Sequence, residues 1–143
     1  MRIVADTNVL VRALISGVDS SPLLQLWLSG QIQLAVSTGT LAELASVLTR
    51  PKFQHYFTAD NVTGLLTLLR EHGEWVAVTA QFALCRDPKD DVFLNLAITA
   101  QADYLVSEDN DLVADAALKA RMLNDHQIQI VREAELAKAL AGR

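Results

Sequence analysis

Four carboxylates in this chain stand where chemistry can be done. Asp6 directly follows the apolar run Ile3-Val4-Ala5, Glu43 rides among leucines in Leu41-Ala42-Glu43-Leu44, Asp91 follows Asp87-Pro88, and Asp109 lies just beyond Tyr104-Leu105-Val106-Ser107. Gathered in a cleft of low dielectric, such a set repels itself strongly and is tenable only with bound cations or raised pKa values. An all-oxygen donor set without His or Cys favours Mg²⁺ or Mn²⁺ over zinc, because these hard cations take oxygen ligands and keep waters that phosphate oxygens can replace. Phosphodiester hydrolysis is the leading chemistry for such a site, with the cation polarising the phosphoryl group and activating water. Asp90 is either the third-position partner of a helix cap or a further contact to metal, and Asp111 can support Asp109 from outside the ligand set.

Each acid also has a structural use. Asp87 reads as a helix cap, and Asp6 can cap the helix that follows it. Asp91 shares a helical face with Leu94, Asn95 and Ile98, which turns it toward the packed side. Asp103, Asp115, Glu133 and Glu135 read as surface or capping residues. The single Cys85 reads as a small buried apolar residue, and the three histidines lack metal-type spacing.

The elements that must position these acids alternate in type. Ile3–Ala5 predicts a strand, followed by a helix carrying Val9, Leu10, Ala13 and Leu14. Ser20-Ser21-Pro22 opens a second helix that stops at Ser29-Gly30. Gln33–Ser37 reads as a strand, and Thr38 or Thr40 as the cap of a helix through Leu48. Another helix runs from Thr58 to His72-Gly73, then a strand at Trp75–Val78. Asp87-Pro88-Lys89-Asp90 opens a helix toward Ala100, and Tyr104–Ser107 is the next strand. Leu112–Leu123 is less regular, Ile128–Val131 is a final strand, and Glu133–Leu140 a closing helix. Strands separated by helices imply right-handed crossovers, so the expected fold is α/β: a mainly parallel sheet of four to five strands between helical layers. In such a sheet, acids placed directly after strands or early in the following helices meet at one edge.

Composition sets the outer limits. With 143 residues, 51% hydrophobic and 20% charged, the chain reads as one domain spanning 1–143, and neither disordered nor fibrous. The amino terminus lacks the order of a signal peptide, which makes the cytoplasm the expectation. The uncharged stretch Ser20–Ala42 is too polar to span a membrane. Seventeen acids against 12 bases give a net charge of −5, which argues against a nonspecific electrostatic grip on nucleic acid. A metal-dependent nucleic-acid enzyme remains compatible with it, since its site concentrates carboxylates.

Asp6-Thr7-Asn8 after the first strand, Glu43 on a later helix, and Arg86-Asp87-Pro88-Lys89-Asp90-Asp91-Val92-Phe93-Leu94 leading to Ala102-Asp103-Tyr104-Leu105-Val106-Ser107-Glu108-Asp109 resemble the PIN-domain ribonucleases. The likeness is strongest to the branch described as toxin components of toxin–antitoxin systems, and it runs from about Met1 to about Glu133. It implies a three-layer α/β/α fold, with Asp6, Glu43, Asp91 and Asp109 as ligands of Mg²⁺ or Mn²⁺ and Asp111 as a weaker contributor. Thr7, Asn8 and Ser107 would orient ligands or phosphate. The resemblance further implies an endoribonuclease acting on single-stranded or looped RNA, a homodimer, and inhibition by an antitoxin protein. Ser107-Glu108-Asp109-Asn110-Asp111 departs from the family pattern by offering several acids. Arg50, Lys52, Arg86 and Lys89 flank the acidic elements and can contact phosphates. A phosphoacceptor receiver domain and a haloacid-dehalogenase-type phosphatase both lack their required residues here. The remaining alternative is a catalytically retired PIN-like module that holds a basic partner peptide on its acidic face.

Overall fold

The computed structural model describes residues 1–17, 19–85 and 87–141. β1 (Arg2–Ala5) leads through α1 (Thr7–Ser16) and α2 (Pro22–Leu28) to β2 (Gln33–Val36), and α3 (Thr38–Leu48) and α4 (Ala59–His72) carry the chain to β3 (Glu74–Trp75). Next come α5 (Asp91–Ala100), β4 (Tyr104–Val106), α6 (Asn110–Val113), α7 (Ala116–His126), β5 (Gln129–Val131) and α8 (Glu133–Ala141). The five strands pair in parallel throughout, in the order β3-β2-β1-β4-β5.

Successive strand side chains point to opposite faces, so each strand feeds two cores. Ile3, Ala5, Leu34, Val36 and Val106 pack against residues of α1 to α4 and α8. Val4, Ala35, Leu105 and Ile130 pack against α5, α6 and α7. This is the expected three-layer α/β arrangement, and it explains the unbroken apolar runs, because a strand covered on both faces has no polar side. Leu105 is wholly buried, and truncating such a side chain to Ala costs about 2–5 kcal/mol.

Three local expectations are corrected. The cap of α3 is Ser37, not Thr38 or Thr40: its Oγ accepts from the Thr40 amide at 3.2 Å, while Thr40 Oγ1 accepts from the Ser37 amide at 3.0 Å. Thr40 is therefore the reciprocal partner in a capping box. β3 is shorter than the stretch Trp75–Val78, because its one neighbour, β2, turns into that cap after Val36, and the last rung is Val76 N–H to the Val36 carbonyl at 2.8 Å. Leu112–Leu123 is regular after all. Asp115 caps α7 by accepting from the Leu118 amide at 3.0 Å, which divides the stretch between two helices.

The chain winds from β1 outward to β3 on one side and from β4 to β5 on the other, so the strand order reverses between β1 and β4. A crevice outside the carboxyl ends of those two strands is where such sheets bind ligands. Register brings the ends level: Ala5 lies opposite Val106, and the Asp6 amide donates to the Val106 carbonyl at 3.0 Å.

Candidate functional site

Asp6 and Ser107 are the first residues past two adjacent strands, and both are buried. Asp6 Oδ1 accepts from the Val9 amide at 3.0 Å, capping α1, and Oδ2 accepts a short hydrogen bond from the Ser107 hydroxyl. Ser107 Oγ in turn accepts from the Asp109 amide at 3.0 Å. One hydroxyl thus sets both the carboxylate of Asp6 and the backbone of Asp109. Asp109 then caps α6, its Oδ1 accepting from the Asp111 amide at 2.9 Å. Asp111 itself is exposed and contributes backbone to this turn.

A cavity of about 190 Å³ opens at this point, lined by Asp6, Glu43, Asp90 and Asp109. Asp87 joins them, though its Oδ1 also caps the short 3-10 turn Pro88–Asp90 by accepting from the Lys89 amide at 3.0 Å. Thr7 and Asn8 line the same space from the start of α1, and Arg50 and Lys89 supply its basic groups. Arg86 lies outside the described residues. A larger cavity of about 490 Å³ between α2 and α8 has no ionisable residue among the described ones that line it, so size alone does not pick out the site.

Asp91 is not in this cavity. Its Oδ1 accepts from the Leu84 and Cys85 amides at 2.9 and 2.8 Å. One and two turns on, Asn95 accepts from the Phe82 amide at 2.8 Å and Thr99 Oγ1 from the Ala80 amide at 3.1 Å. This polar stripe ties the irregular segment 79–85 to α5. The reason is the 3-10 turn: α5 begins at Asp91 rather than at Pro88, so Asp91 belongs to the stripe and Asp90 faces the cavity. The i, i+4, i+8 spacing of Asp91, Asn95 and Thr99 is the signal in the sequence that separates the two acids. Beside Asp91, the half-buried Cys85 thiol has its pKa pushed up by burial and by that carboxylate, which makes it a poor nucleophile.

The electrostatics are those of gathered like charges. Burial pushes the Asp6 pKa up, opposed by the bonds from Ser107 and Val9, with Asp109 and Glu108 adding repulsion. Asp90 is pushed up to about 6, first by desolvation and then by Asp109, Asp87, Asp6 and Asp111. Among the described residues, no three His, Cys, Asp or Glu side chains converge tightly enough to hold a metal ion as they stand. The donor set nevertheless suits a hard divalent cation, since its oxygens share a cavity and neighbouring carboxylates disfavour the ionised forms of Asp6 and Asp90. Thr7 Oγ1 gives a second test of fit. It is buried without a hydrogen-bond partner among the described residues, and a hydroxyl left so is costly unless a ligand or water oxygen completes it.

A family model described as PIN domain matches residues 2–111, which include every acid of the cavity. An uncharacterized protein of Methanocaldococcus jannaschii is 28% identical over 117 residues, covering 80% of this chain and 74% of that protein. No helix among the described residues is long and apolar enough to cross a membrane.

Proposed function

The chain belongs to the PIN domain family, whose members are generally nucleases, and on that premise we propose that it is a Mg²⁺- or Mn²⁺-dependent endoribonuclease. Asp6, Glu43, Asp90 and Asp109 would hold the cation, Asp90 replacing Asp91 in the set read from sequence. The observation that carries this reading is that these acids, from four separate segments, line one cavity at the point where the strand order reverses.

When bound, a divalent cation supplies Lewis-acid polarisation of the scissile phosphoryl group and lowers the pKa of a coordinated water. The residues do the rest. Ser107 holds Asp6 Oδ2 in one orientation and fixes the Asp109 backbone, so two acids keep a constant relation. Arg50 and Lys89 bind phosphate oxygens on the substrate side of the cavity, offsetting an otherwise negative cleft. The Thr7 hydroxyl, which has no partner among the described residues, donates to a phosphate or water oxygen. Residues 1–143 would act as one PIN-like domain in the cytoplasm. As the toxin of a toxin–antitoxin pair, it would form a homodimer and be inhibited by an antitoxin covering the acidic cavity.

The test is cleavage of a labelled single-stranded RNA by metal-free protein, with and without added Mn²⁺, for the wild type, Asp6→Asn and Asp109→Asn. Mn²⁺-dependent cleavage lost in both variants supports the enzyme. Equal cleavage in all three identifies a contaminating nuclease and overturns it. Mn²⁺ binding without cleavage by the wild type would instead favour the retired module.

A further inference from the structure

The last acidic segment carries Glu108, Asp109 and Asp111 within four residues, yet only Asp109 lines the cavity. Register and one guanidinium account for the choice. Val106 pairs with Val131, and the Ser107 amide donates to the Val131 carbonyl at 3.0 Å, so the residue after β5 lies beside the residues after β4. That residue is Arg132. Its Nη1 donates to the Glu108 carbonyl at 3.2 Å and to Glu108 Oε2 at 3.1 Å, and its Nη2 donates to Asn110 Oδ1 at 2.7 Å. The Glu133 amide completes the grip on Glu108 Oε1 at 3.1 Å. The residues on either side of Asp109 are therefore held by the same fork. Glu108 is drawn to a different cavity, which it shares with Arg12 and Glu133.

We propose that Arg132 is a positioning residue: by pinning Glu108 and Asn110 it selects Asp109 as the acid this segment presents to the site. The proposal rests on the nuclease reading for its consequence, but not for its mechanics. Arg132 lies beyond residue 111, where the family match ends, so the clamp is supplied by a part of the chain outside the matched region. A planar fork with several donors is what the task requires, because a lysine can replace the ion pair with Glu108 without also reaching a second, divergent acceptor. Releasing the clamp leaves Glu108 free to turn toward Asp6, which its charge already disfavours in ionised form.

The experiment compares the wild type, Arg132→Gln and Arg132→Lys by three readouts. The first is amide hydrogen exchange of the metal-free proteins at residues 109–113. The second is Mn²⁺ affinity from electron paramagnetic resonance of the free ion. The third is kcat and KM for RNA. In Arg132→Gln, exchange of the Asp111, Leu112 and Val113 amides, all of which donate to Asp109, should quicken about tenfold while the melting temperature and the exchange of β1 and β4 hold. Mn²⁺ affinity and kcat should fall about tenfold with KM unchanged, the usual scale for residues that orient a ligand. Arg132→Lys should recover part of each loss. Unchanged exchange at 109–113 in Arg132→Gln overturns the proposal, as does a loss of kcat that merely follows a lower melting temperature. A wild type that neither binds Mn²⁺ nor cleaves RNA would overturn the nuclease reading alone, and the exchange result would still decide the clamp.

Discussion

Asp90 and Asp91 are adjacent carboxylates with opposite assignments, and exchanging them in thought gives opposite results. Asp91 Oδ1 accepts two amides, from Leu84 and Cys85. A hydrogen bond to a charged acceptor contributes about 1.5–3 kcal/mol, but these groups are only half-buried and water replaces much of it, which leaves about 2 kcal/mol for the pair. Asp91→Ala should then lower the melting temperature of the metal-free protein by about 4–8 °C, while Asp91→Asn, whose amide oxygen accepts the same bonds, should lose less than half of that. Asp90 accepts no capping bond at the start of α5, and burial, followed by repulsion from its neighbours, raises its pKa to about 6. Asp90→Asn should therefore leave the metal-free protein as stable as the wild type or slightly more so at pH 7. The order reverses when Mn²⁺ is added. At a hundred times its Kd a ligand stabilises by about 2.7 kcal/mol, and a variant whose Kd has risen about a hundredfold keeps only about 0.4 kcal/mol at the same concentration. Thermal melts with and without Mn²⁺, read beside RNA cleavage, should show Asp91→Asn retaining the Mn²⁺ shift and Asp90→Asn losing it. The reverse pattern would refute the assignment and return Asp91 to the ligand set.

Three further outcomes follow from the same geometry. Since Asp90 titrates at about 6 when folded against 3.8 as a free side chain, the native state binds more protons across that window. The stability of the metal-free protein should fall as pH rises from about 4 to about 6, and Asp90→Asn should flatten the slope in a pH series of urea melts. Ser107→Ala removes the link between Asp6 Oδ2 and the Asp109 amide. It should cost about 1–3 kcal/mol by chemical denaturation and weaken Mn²⁺ binding measured by calorimetry. Lys89→Ala and Arg50→Ala should each weaken RNA binding with the salt slope reduced by about one, leaving the Mn²⁺ melting shift intact. An unchanged slope would remove the residue from the interface.

The fold was largely legible because its signals are local and redundant. Unbroken apolar runs at Ile3–Ala5 and Tyr104–Val106, the first followed directly by Asp6 and the second by Ser107 and then two acids, mark doubly covered strands whose ends point at a site. What the sequence leaves open is rotation about one helix. A helix starting at Asp87-Pro88 and one starting three residues later both read as capped, and the choice decides which of two neighbouring acids faces the cavity. The early end of β3 has the same character: Trp75–Val78 has strand composition, but a strand needs a partner, and β2 turns into its cap at Ser37. Arg132 could not be found by spacing at all, because its contacts with Glu108 and Asn110 depend on a parallel register across 24 and 22 residues.

The structural and chemical uses of these acids are not alternatives. Asp6 caps α1 through one oxygen and meets Ser107 through the other; Asp109 caps α6, and Asp87 caps the turn that delivers Asp90. An acid that also anchors backbone cannot swing away to relieve repulsion, so the fold itself holds the charges together. The backbone N–H groups that hold Asp6 and Asp109 sit at helix starts, where a negative charge is favoured. The same coupling decides how the site can be probed. Asn is as good a cap as Asp, whereas Ala at a cap costs about 1 kcal/mol, with 2 as the upper end. At Asp6 and Asp109 an Ala substitution therefore removes a proposed ligand and a helix start together, and any loss of cleavage could be assigned to either. Asn removes the charge and leaves the anchor. A fall in Mn²⁺ affinity in Asp6→Asn or Asp109→Asn, at unchanged metal-free stability, isolates the chemical role from the structural one.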